Sequence, residues 1–88
     1  MIKTDIKNLK NIEILDFDSN TIDELPNFVG DYTNLTNLSF QSNKITNIPD
    51  SLSKLTNLTI LDIGGNPLKE IPTFIGNYEK LESLSMTN

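Results

Sequence analysis

Apolar residues recur along this chain with a period of 23: Ile12, Leu35, Leu58 and Leu81 stand that far apart, and cutting the sequence there aligns the segments. With the slots of each segment numbered 1 to 23, slots 1, 4, 6, 11, 14, 18 and 21 are apolar in all three complete copies. The first copy fills them with Ile12, Leu15, Phe17, Ile22, Leu25, Val29 and Tyr32. The second has Leu35, Leu38, Phe40, Ile45, Ile48, Leu52 and Leu55, and the third Leu58, Leu61, Ile63, Leu68, Ile71, Ile75 and Tyr78. Only 36% of the residues are apolar, so chance does not fill 21 slots out of 21.

Shorter periods inside each copy predict its elements. Slots 3 to 7 alternate, apolar at 4 and 6 and mostly polar at 3, 5 and 7, which is the period of a half-buried strand. Stacked copies set these strands side by side as a parallel sheet. Slot 9 is Asn each time (Asn20, Asn43, Asn66). There the backbone turns away from the ladder, and an amide that both donates and accepts can satisfy the groups left over. Slot 15 is Pro each time (Pro26, Pro49, Pro72). Its fixed φ suits a tight turn and bars a further strand. The slots that follow predict a short helical or 3₁₀ turn on the convex side, clearest over Ser51-Leu52-Ser53-Lys54-Leu55.

The second copy opens LTNLSFQSNKI and the third LTILDIGGNPL. These runs resemble the leucine-rich-repeat signature L-x-x-L-x-L-x-x-N-x-L. The copy length and the Pro-containing continuation are similar to the typical and Ras-interacting intracellular subclasses. The resemblance implies an α/β fold: a right-handed solenoid forming a horseshoe segment, with a parallel β-sheet on the concave face and short helical or 3₁₀ turns on the convex face. One domain is expected over 1–88. It divides into a partial repeat at 1–11, full repeats at 12–34, 35–57 and 58–80, and a partial repeat at 81–88. Ile6 and Leu9 fall in slots 18 and 21 of the first partial repeat, and Leu84 and Met86 in slots 4 and 6 of the last. Neither end shows a recognisable polar cap. A fragment of a longer solenoid, or open edges that pair between copies, would each account for that; a fragment or a natural minimal solenoid is favoured over obligatory self-association.

The same resemblance implies a protein–protein interaction module that binds a protein or peptide through the concave strand face. Carried over slot by slot, that face holds Ile14, Asn37, Ile60 and Ser83 at slot 3, and Asp16, Ser39, Asp62 and Ser85 at slot 5. Asp18 and Gln41 stand at slot 7 and Lys44 at slot 10. The competing expectation is a structural or assembly segment of a larger leucine-rich-repeat protein with no binding role of its own.

Composition narrows the function classes. The chain has no Cys, His, Arg or Trp. It therefore lacks disulfides, thiolate metal sites and the commonest general base, so no enzyme, metal or cofactor is expected. Asp16-Phe17-Asp18-Ser19-Asn20 opens like a calcium loop, but Thr21 stands where Gly is needed and Asn27 where Glu is needed. Three N-x-S/T sequons, at Asn34, Asn37 and Asn57, carry meaning only in a secreted protein. A net charge of −5 disfavours nucleic acid and anionic membrane surfaces. No apolar run approaches the ~20 residues of a membrane span. The start lacks the apolar core of a signal peptide. Together with the absence of Cys this leans towards the cytoplasm without fixing a compartment. Charge is uneven: residues 12–34 carry Glu13, Asp16, Asp18, Asp23, Glu24 and Asp31 and no Lys. That repeat alone is −6 against +1 for the remainder, so a basic partner would be drawn to it.

Overall fold

The computed structural model describes residues 11–86. Ile6 and Leu9, assigned above to a first partial repeat, lie outside the described residues, as do Thr87 and Asn88. Four strands stand at the 23-residue spacing: β1 (Ile14–Asp16), β2 (Asn37–Ser39), β3 (Ile60–Asp62) and β4 (Ser83–Ser85). They form one sheet in the order β1-β2-β3-β4 with every pair parallel. Equivalent slots face each other exactly in register, Leu15 on Leu38, Leu38 on Leu61 and Leu61 on Leu84.

Between strands the chain returns through three 3₁₀ helices, Asn27–Asp31, Asp50–Lys54 and Thr73–Asn77. The slot-15 prolines precede them with φ of −65°, −64° and −61° and extended ψ. Each Pro carbonyl accepts the first i→i+3 bond, as when Val29 N–H reaches Pro26 O at 3.2 Å. Two more follow, from Tyr32 N to Val29 O and from Leu35 N to Tyr32 O, and lead the chain into the next repeat.

The core is a single file of side chains inside the coils. Seventeen of the 21 apolar slots are buried, including all seven of the second repeat. Ile12, Ile22 and Leu68 pack against this core while partly exposed. Ile71 is exposed although its slot-14 equivalents Leu25 and Ile48 are buried. Packing between coils is close on the convex side, where a Cβ on Gly30 would stand 2.3 Å from the carbonyl oxygen of Ser51.

The slot-9 asparagines join the coils. Asn43 is buried and its Nδ2 donates to the carbonyls of Phe17, Phe40 and Gln41, while its Oδ1 accepts from the N–H of Ile22. Asn66 repeats the arrangement one coil on, donating to Phe40, Ile63 and Gly64 and accepting from Ile45. Both amides thus pair with backbone of two successive repeats, which is the satisfaction a buried polar group needs. Slot 8, just before them, takes positive φ in Ser19 (59°), Ser42 (60°) and Gly65 (70°). That left-handed turn suits Gly and costs the two serines roughly 1–2 kcal/mol each.

Phe28 with Tyr32 and Phe74 with Tyr78 meet edge to face at 6.1 and 6.0 Å between ring centres. These pairs pack locally beside the 3₁₀ helices. Tyr78 donates from Oη to the carbonyl of Leu52 at 2.6 Å, and burial pushes its phenol up to about 12.

Candidate interaction surface

Because slots 4 and 6 turn inward, slots 3 and 5 turn outward and line up across the sheet. In register they read Ile14, Asn37, Ile60, Ser83 and Asp16, Ser39, Asp62, Ser85. All eight residues lie on one face, as the slots predict. Ile14 is the most open of them at 64% exposed, with Asp16 and Ser83 also exposed and Asn37, Ser39, Ile60, Asp62 and Ser85 half-buried. Gln41 follows β2, half-buried, and Lys44 stands exposed beyond it at the rim. Each slot-2 carbonyl takes two N–H groups from the next repeat, as Glu13 O does from Thr36 and Asn37. This anchors the start of each strand.

Asp18 is less available than its slot suggests. Its Oδ1 accepts from Ser39 Oγ at 2.5 Å and from the N–H of Gln41 at 2.9 Å, and its Oδ2 accepts from Gln41 Nε2 at 3.1 Å. Partial burial alone would push this carboxyl up, but the hydrogen bonds from Ser39 and Gln41 outweigh it and hold the group below its ordinary value. A carboxylate held by these donors serves as a clamp between the first two repeats. Asp16 accepts the N–H of Asp18 at 2.8 Å and keeps its remaining lone pairs exposed. The clamp escapes sequence reasoning that treats slot 7 as outward-facing. Its one sequence signal is the pairing of Asp18 with Gln41 in the same slot of adjacent repeats, where a carboxylate meets a donor.

Two shallow grooves lie on another side, beside the slot-15 prolines. One of about 330 Å³ runs past Asn47, Asp50, Glu70, Ile71 and Phe74. The other, of about 320 Å³, sits between Glu24, Pro26, Asn47 and Pro49. Among the described residues no group of three or more acidic, His or Cys side chains could hold a metal ion, and no helix is long and apolar enough to cross a membrane.

Known proteins resemble this architecture closely. A leucine-rich-repeat protein of Leptospira interrogans superposes with a TM-score of 0.93 at 31% identity, over 99% of this chain and 22% of that one. An internalin C2 from Listeria monocytogenes gives 0.81 at 36% identity, over 92% and 34%. The leucine-rich-repeat ectodomain of the plant membrane receptor kinase GASSHO1/SCHENGEN3 from Arabidopsis thaliana, solved in complex with CASPARIAN STRIP INTEGRITY FACTOR 2, gives 0.71 at 32% identity, over 86% and 10%. The chain thus spans about a third or less of the length of each. No curated protein sequence matches it. The family model described as Leucine Rich repeats (2 copies) matches residues 33–76, half of the sequence. With the strand–Asn–Pro–3₁₀ coil recurring in register, the chain belongs to the leucine-rich repeat family.

Proposed function

We propose that this chain is a non-catalytic interaction module that receives a protein or peptide on its concave sheet face. The observation that carries the reading is a division of labour among slots. Inward positions are apolar in every full repeat, whereas the outward positions of β1 to β4 change from repeat to repeat and include Ile14 and Ile60 beside Asp16 and Asp62. Core packing uses none of these four outward side chains. The plant receptor ectodomain solved in complex with a factor supports the use of this fold for binding a partner. Acidity concentrated in residues 12–34 favours a basic partner by steering its approach. The face is small, because four strands about 4.8 Å apart span only ~15 Å between the outermost. A standard interface needs ~800 Å² per partner, so binding is weak unless adjoining loops or further repeats contribute.

A second reading, a structural or assembly segment, is favoured by the edge of β4, where Leu84 and Met86 are exposed. Selection of peptides from an unbiased display library against the 88-residue chain separates the two. The interaction reading expects amide shifts on β1–β3 and loss of binding in Ile60→Asp with unchanged circular dichroism. Peptides that map only to the proline side, or a selection that enriches nothing while light scattering shows self-association, would overturn it.

A further inference from the structure

The concave face alternates along both outward columns. Ile14 and Ile60 are separated by Asn37, and Asp16 and Asp62 by Ser39, because each pair sits two strands apart in exact register. Two strand spacings are roughly 9.6 Å. A ligand that crosses the strands must therefore present like side chains about every 9.6 Å. An extended β ligand repeats a face every ~6.6 Å. An α-helix returns at ~6 Å or, after seven residues, at ~10.5 Å. A polyproline II segment has three residues per turn and a rise of ~3.1 Å, so it returns every ~9.3 Å. Side-chain tips on a concave surface stand slightly closer than their strands, which favours the shorter match over the helix.

We infer that the face recognises a basic polyproline II segment lying across the strands, with a Lys or Arg at every third residue over Asp16 and Asp62 and an apolar neighbour over Ile14 and Ile60. This rests on the concave-face reading and specifies its occupant. Charge supports it. Asp18 is already clamped by Ser39 and Gln41, so Asp16 and Asp62 are the carboxylates of the outward columns, and no described Lys stands in either column. Backbone chemistry supports it as well. A polyproline II chain makes no internal hydrogen bonds, and Asn37, placed between the two isoleucines, brings an amide to its path.

The probe is the peptide acetyl-(Lys-Leu-Pro)4-amide, titrated into the ¹⁵N-labelled chain beside a permuted peptide of identical composition in which no two Lys are three residues apart. The expected result is a set of shifts on β1–β3 and binding at least ten-fold tighter than for the permuted peptide. Asp16→Asn/Asp62→Asn should weaken the periodic peptide at least ten-fold. The charge-conserving pair Asp62→Ser/Ser85→Asp, which moves the second acid to β4, should erase the preference between the two peptides. Equal binding of both peptides on β1–β3 would overturn the spacing rule and leave the concave-face reading intact. Shifts confined to the proline side would overturn both. No binding by either peptide would overturn this inference, with the display selection then deciding the broader reading alone.

Discussion

The second and fourth repeats place apolar residues in the same slots and bury them to different extents. Leu38 and Leu84 face each other's equivalents in one sheet, yet the first is fully buried and the second 37% exposed. At slot 6, Phe40 is fully buried and Met86 is 45% exposed. The second repeat has a coil packed on each side, and β4 pairs with β3 alone among the described residues. A slot therefore specifies direction, while the neighbouring coils supply burial, which is how a quasi-one-dimensional fold distributes its stability.

The largest expected contrast is at slot 6. Phe40→Ala should cost about 3–5 kcal/mol, enough to unfold a domain of ordinary stability, whereas Met86→Ala should cost under ~1 kcal/mol because much of that side chain is already in water. Urea titrations followed by circular dichroism measure both, and similar losses would break the comparison. Next comes the amide column. Asn43→Ala leaves the N–H of Ile22 and several carbonyls without their partner and should cost about 2–3 kcal/mol. Asn20→Ala should cost about 1 kcal/mol by the same assay, since among the described residues exposed Asn20 bonds to carbonyls of Phe17 and Asp18 in its own repeat.

A pair of glycines sharpens the point at smaller scale. Gly30 and Gly76 occupy the same slot, but a Cβ on Gly76 meets nothing within 4 Å. Gly30→Ala should lose about 1–3 kcal/mol through overpacking against Ser51. Gly76→Ala should be neutral or gain up to ~1 kcal/mol by restricting the unfolded chain. Thermal melts of the two variants would decide it. The smallest effect is acid sensitivity at the β1–β2 clamp. Asp18 has a lowered native value, so its contribution is complete above the ordinary carboxylate range and fades as pH falls through the native value. Asp18→Asn should flatten the pH dependence of stability on the acid side, measured by denaturation at a series of pH values. An unchanged slope would mean the clamp contributes nothing.

Much of this was legible in the sequence because the fold repeats one local solution. Period two at slots 3 to 7 marked the strands, which occupy slots 3 to 5 of that stretch, and Pro at a constant slot marked where each 3₁₀ helix begins. Ile14, Asn37, Ile60 and Ser83, and Asp16, Ser39, Asp62 and Ser85, stand in register as two columns across the sheet. What escaped depends on contacts between specific neighbours. Ile71 reads like Leu25 and Ile48, but its exposure depends on the coil beside it. Asp18 reads as a free acid until Gln41 and Ser39 are placed next to it. The left-handed turn at Ser19 and Ser42 is hinted at only by Gly65 in the third repeat, since serine carries no strong signal for positive φ.

The asparagine amides also bear on how such a gene can change. Asn66 donates to the carbonyl of Phe40 and accepts from the N–H of Ile45, so the coil before it is chemically completed by its successor. Duplicating or deleting one whole repeat leaves every such amide facing the same two carbonyl rows. Adding or removing a single codon between Asn43 and Asn66 would set one amide against the wrong atoms. Lineages of this chain should therefore differ in length by whole repeats, with substitutions concentrated at the exposed positions between the anchoring slots.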